Sequence, residues 1–174
     1  MQKPPLPPTP ATQRLLTVSL LNGWSITIVA GLSLLITLVL QDGLGIAVSV
    51  VALGAGLIEL RGRARLKQGD SSGGSLLIAA QWLLMGTIYA YCLWQLVHVS
   101  PERVLEMVPE QMRSVYERAG QGAFLRTFVR VGVVAVYGGV MLASLLHQGG
   151  LIFFYRRSLG KVDQALEPPP IPMA

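Results

Sequence analysis

Residues 15–60 read LLTVSLLNGWSITIVAGLSLLITLVL, then QDG, then LGIAVSVVALGAGLIEL, and this stretch decides the fold. The first run carries no charge between Arg14 and Asp42. It exceeds the ~20 apolar residues that cross the ~30 Å hydrocarbon core of a bilayer as an α-helix. A cleaved secretory leader has an apolar core of roughly 7 to 15 residues and a small-residue cleavage site. A longer run that stops at Gln41-Asp42-Gly43 is instead expected to stay in the membrane. The second run, 44–60, is close to the shortest that can span, so it allows little tilt.

Two further apolar runs follow at 75–99 and 127–155. The whole chain of 174 residues is 52% apolar and 13% charged, with a mean hydropathy of +0.53. A soluble domain carries about 25% charged residues. These observations predict an all-α integral membrane protein, a four-transmembrane-helix antiparallel bundle with an extracytoplasmic amphipathic helical segment. The expected division is a proline-rich cytoplasmic tail (1–14), a membrane domain (15–157) and a second proline-rich cytoplasmic tail (158–174). Within the membrane domain a basic cytoplasmic loop covers 61–74 and the outer segment covers 100–126. Pro4 to Pro8 have the composition of an SH3-type ligand, but a tail that does not fold is the simpler reading.

In the outer segment, Ser100-Pro101-Glu102 reads as a helix start, with Ser as N-cap and Pro at the first helical position. Val104, Val108, Met112, Val115 and Ala119 recur at helical spacing. Pro109 is expected to kink or split this helix, and Gly120 and Gly122 to end it.

Orientation follows from the cations. Lys3, Arg14, Arg61, Arg63, Arg65, Lys67, Arg156, Arg157 and Lys161 fall on one side, against Arg103, Arg113, Arg118 and Arg126 on the other. Arg130 lies just inside the outer end of the fourth span and can snorkel outward. The positive-inside rule then puts both termini in the cytoplasm, and in a bacterium the membrane is the inner one. The net charge of +5 is accounted for by anionic lipid headgroups at the cytoplasmic face, with Arg61, Arg63, Arg65, Lys67, Arg156 and Arg157 as topology anchors. No nucleic acid is needed to explain it. Cys92 is the single cysteine, so no intramolecular disulfide or paired-cysteine metal site can form.

Projection at 100° per residue gathers Gly45, Ser49, Ala52, Gly56 and Glu59 on one side of the second span. It gathers Gly132, Ala135, Gly139, Ala143, His147 and Gly150 on one side of the fourth. Small residues let helix backbones approach where lipid gives no hydrophobic drive, and these two faces are expected to meet. The first span has one side with Ser19, Asn22, Ser25, Ser33 and Thr37 and another with Gly23, Thr27 and Gly31. The third has a narrow stripe of Gln81, Cys92 and Gln95. Asn22, Ser25, Ser33 and Gln95 form a candidate polar stripe, either interhelical hydrogen bonding or the wall of a water-filled path.

Ionisable groups inside a membrane are functional suspects. Glu59, Gln81 and His147 form the candidate buried polar cluster. A rise of 1.5 Å per residue puts Gln81 and His147 at similar depth, so a Gln81–His147 hydrogen bond is expected. Glu59, nearer the inner end, is expected to reach the interface and meet Arg63 or another loop cation. His98 and His147 lie roughly 20 Å apart along the membrane normal by the same rise, too far to share a haem. The first span has no carboxylate near its middle, unlike small four-helix multidrug exporters. No phosphate-binding loop, HExxH or GxSxG motif is present. Trp82, Trp94, Tyr89 and Tyr91 read as bundle or interface aromatics.

The residues therefore imply no catalytic, cofactor or metal site. The leading expectation is a non-enzymatic accessory, scaffold or sensor subunit acting through helix packing and its outer segment, with a protein partner or a second copy. The alternative is a small homo-oligomeric channel or transporter with a polar path between the first and third spans.

Overall fold

The computed structural model describes residues 10–100, 104, 109–120 and 122–166. They form α1 (Pro10–Val39), α2 (Gly43–Lys67), α3 (Ser72–His98), α4 (Glu110–Arg118) and α5 (Gly122–Leu166). The protein is all-helical, and α1, α2, α3 and α5 are each long and apolar enough to cross a membrane. Of the expected helix start only Ser100 is described, and of the two expected tails only Pro10 to Arg14, which open α1, and 158–166, which close α5; the rest lies outside the described residues.

The turns have definite chemistry. After α1, the Asp42 amide donates to the Thr37 carbonyl and the Gln41 amide to that of Leu38. This is the Schellman pattern, which satisfies carbonyls left over at a helix end. It requires a left-handed residue, and here Gln41 takes that role at φ 55°, where glycine is usual. The end of α2 repeats the pattern with Asp70 to Arg65 and Gly69 to Leu66, and Gly69 has φ 80°. The Asp70 carboxylate then accepts from the Ser72 amide at the start of α3. So α2 continues through Arg61 to Lys67, and most of the stretch expected as a basic loop is helix. The connector shrinks to 68–71.

In α4, Glu110 lies in the first turn and Arg118 in the last, the charge order that complements the helix dipole. Pro109 precedes the helix and Gly120 follows it at φ 68°. The 45 residues of α5 correspond to roughly 68 Å at 1.5 Å per residue. That is more than twice the ~30 Å apolar thickness of a bilayer, so α5 runs on past Arg156 and Arg157.

The chain divides into two compact units, Met1–Thr87 with Leu146–Ala174, and Ile88–Leu145. In the first, α1 and α2 zip together in opposite directions. The Leu16 carbonyl accepts from Arg63 Nε, Asn22 reaches Glu59, Gly23 and Thr27 abut Gly56, Ser33 bonds Ser49, and Thr37 meets Gly45. Rising numbers on α1 match falling numbers on α2, which is an antiparallel register held along most of both helices. A Cβ added at Gly56 would lie 2.6 Å from Thr27 Oγ1 and 3.0 Å from the Thr27 backbone nitrogen. Glycine is needed there because the obstacle includes backbone. At the other edge of α2, a Cβ on Gly62 would lie 2.8 Å from the Gly73 carbonyl oxygen of α3. Leu15, Leu66, Leu77 and Tyr155 form the apolar core of this unit.

The small face of α2 is thus covered by α1, not by the fourth span as the residue pattern suggested. Gly132, Ala135, Gly139, Ala143 and Gly150 are exposed, and beyond the adjoining helix backbone no heavy atom of the described residues lies within 4 Å of where a Cβ would stand at Gly132, Gly139 or Gly150. The buried side of α5 is instead Ser144, Gln148, Ile152, Tyr155 and Ser158. Outward faces are apolar, with Val29 and Leu35 on α1 and Phe128, Val131, Val136 and Leu146 on α5 all more than half exposed. Such area suits acyl chains and would aggregate in water.

Gly56→Val is expected to lower stability by about 1–3 kcal/mol through overpacking, while Gly139→Val stays within about 0.5 kcal/mol. Unfolding in mixed detergent and SDS micelles measures both. Equal losses would contradict the role given to the α1–α2 contact.

Candidate functional site

The polar centre of the first unit is Glu59. A glutamate two residues before a run of cations looks able to turn toward the interface, but the side chain is fully buried. The α1–α2 register places it against Asn22, and α3 and α5 close over it. Asn22 Nδ2 donates to Glu59 Oε2 at 2.7 Å, and Gln81 Nε2 donates to the same oxygen at 2.9 Å. Tyr155 donates its hydroxyl to Oε1 at 2.5 Å. Each donor comes from a different helix, so one carboxyl group joins all four long helices.

The polarity of the network is consistent. An amide next to a carboxyl oxygen must present its N–H side, which turns Asn22 Oδ1 the other way. That oxygen lies 3.4 Å from His147 Nε2, longer than the usual 2.7–3.2 Å for N–H···O. The His147 contact is therefore loose, and its ring is exposed. Every other donor points at Glu59. A carboxylate offers about four acceptor directions, and three are used here.

Two expected pairings are replaced. Gln81 gives its N–H to Glu59 and not to His147, because the α2–α3 turn brings Gln81 directly over Glu59. Arg63 bonds the Leu16 carbonyl at 2.9 Å and not Glu59, which no described cation pairs. Gln81 is fully buried and its Oε1 has no partner, and Gln148 Oε1 is likewise buried and unpaired. Leaving such an acceptor unsatisfied costs about 1–3 kcal/mol.

The candidate polar stripe separates into distinct contacts. Asn22 serves Glu59, and Ser33 accepts from Ser49 at 3.0 Å. Ser25 is exposed. Gln95, in the second unit, donates to Tyr91 on its own helix at 2.9 Å. Of the basic anchors, Arg65 donates to Ser72 Oγ at 3.2 Å, while Arg61, Lys67, Arg156 and Arg157 are exposed. Ala52 is half-buried beside the α1 contact. Among the described residues no group of three His, Cys, Asp or Glu side chains could hold a metal ion.

Tyr155 is the participant that residue reading missed. Projection of the fourth span follows the small residues, and Tyr155 stands only as its last residue, before two arginines. The signal was the recurrence of Ser144, Gln148 and Tyr155 at spacings of four and seven, which puts a hydroxyl, an amide and a phenol on one helix face. Compared with protein-family models, with curated proteins and with solved structures, the chain matches none.

Tyr155→Phe and Glu59→Gln are each expected to cost about 1–3 kcal/mol, the range for a hydrogen bond lost at a buried polar group. The double variant should cost less than the sum by roughly 0.5 kcal/mol or more. A double-mutant cycle in SDS unfolding reads this coupling, and strict additivity would mean that the two groups do not interact.

Proposed function

We propose that this chain is a four-span, antiparallel helical membrane protein of a bacterial inner membrane, with both termini in the cytoplasm. In this reading it works as a non-enzymatic accessory or scaffold subunit. The observation that carries the reading is the way the Glu59 network is spent. Asn22, Gln81 and Tyr155 all turn inward to one carboxyl group, so the polar chemistry at membrane depth holds helices together. The faces left over suit association. The exposed small residues Gly132, Ala135, Gly139 and Ala143 are the kind that admit another helix closely, and α4 adds an amphipathic surface outside the membrane. Arg61, Lys67, Arg156 and Arg157, exposed at the cytoplasmic ends of α2 and α5, meet anionic headgroups.

A second reading, a small homo-oligomeric channel or transporter with a polar path between the first and third spans, has one observation in its favour. The unpaired buried oxygens of Gln81 and Gln148 are acceptors that water or a polar solute would satisfy.

The two readings separate by experiment. Purification of the full chain from its native membrane in mild detergent should recover one partner protein in fixed stoichiometry. Proteoliposomes of the chain alone should pass ions and small solutes no faster than empty vesicles. Flux from the isolated chain, abolished by Gln81→Leu, would replace the scaffold reading with the transport one.

The orientation has its own check, made in a Cys92→Ala background. A cysteine at Gln111 should react with a membrane-impermeant maleimide added to intact cells, and one at Ser71 should react only after lysis. The reverse pattern would invert the topology.

A further inference from the structure

We infer that the end of the second unit formed by the C-terminus of α3 and the first turns of α5 is a binding site for one anionic phospholipid. A cleft of about 530 Å³ lies there, lined by Val97, His98, Ser100, Arg130, Val133 and Val134 among others. The two walls share one gradient. Along α3 the lining passes from Leu96 and Val97 to His98, Val99 and then Ser100 just past the helix end. Along α5, read toward its N-terminus, it passes from Val134 and Val133 to Arg130. Each wall is apolar toward the membrane interior and carries its polar side chains, His98 and Ser100 on one and Arg130 on the other, toward the surface, over roughly 6 Å of rise between Val134 and Arg130.

That gradient is the gradient of a phospholipid, with a phosphate at the top and acyl chain below. Arg130 is exposed and is the one Arg or Lys among the described residues of the lining. A guanidinium in such a place recognises phosphate through two parallel N–H···O bonds. His98 is fixed in position. Its ring stacks on Trp94 with centroids 3.8 Å apart and planes 13° apart, and its Nδ1 lies 3.0 Å from the Trp94 carbonyl oxygen. His98 lines the cleft and Trp94 backs its ring, near a helix end, where Trp is enriched in membrane proteins. Val97 is 78% exposed, an apolar surface open to an acyl chain. A free phosphate would use Arg130 alone and leave the apolar walls unmatched, whereas a lipid engages both.

Native mass spectrometry of the full chain in detergent tests the site, with phosphatidylglycerol, phosphatidylcholine or inorganic phosphate added. Wild-type protein and Arg14→Gln, a change at an exposed cation on α1, should each hold one phosphatidylglycerol. Arg130→Gln should bind it about tenfold more weakly, the loss expected when a charged hydrogen-bond pair is removed. Arg130→Lys, which keeps the charge and the fold but not the bidentate fork, should fall between. Phosphatidylcholine should bind more weakly than phosphatidylglycerol, and inorganic phosphate should neither bind nor compete at equal concentration. Unchanged binding in both Arg130 variants would overturn the proposal, as would competition by inorganic phosphate or displacement of the lipid by an acidic peptide.

Discussion

The lipid interior offers no solvent to a carboxyl group, and the arrangement of the first unit follows from that. Glu59 must be satisfied by protein, since unsatisfied polar groups in hydrocarbon cost several kcal/mol each. Its three donors sit on three other helices. For Asn22 to reach it, α1 and α2 must run closely, and the glycines at 23 and 56 permit that approach. For Gln81 to reach it, α2 and α3 must turn tightly, and Gly62, Gly69 and Gly73 permit that one. Backbone proximity and polar satisfaction are here one requirement seen from two sides.

The number of spans was legible because it depends on run length and charge, which one chain displays directly. The Gln41-Asp42-Gly43 turn was legible for the same reason. Helix pairing was not, because a face of small residues says that something approaches closely without naming what does. Gly45, Ser49 and Gly56 were found as a packing face, and their neighbour is α1. On α5 the small residues led away from the buried side, where Gln148 and Tyr155 lie. Glu59 and Gln81 were singled out by type and depth, yet their mutual bond depended on the 68–71 connector being short. The helix that continues through Arg61 to Lys67 made it so.

The cations also divide by what they do. Arg63 and Arg65 are taken up by the helix ends, on the Leu16 carbonyl and Ser72 hydroxyl. Arg61, Lys67, Arg156 and Arg157 remain exposed. A basic stretch that reads as one block in sequence is therefore two sets on a helix, an inner pair that is structural and a flanking pair free to meet the membrane surface.

The register of α1 against α2 bears on how the protein is made. Glu59 is a poor passenger for an inserting helix, because an acidic residue within the membrane opposes entry into lipid. Asn22 is already synthesised when Glu59 emerges, and their pairing lies wholly within the first hairpin. The two helices can thus leave the translocation machinery as a pair, with the carboxyl group partly neutralised by hydrogen bonding before Gln81 arrives. Tyr155, synthesised nearly a hundred residues later, completes the assembly as the last strut to be fitted.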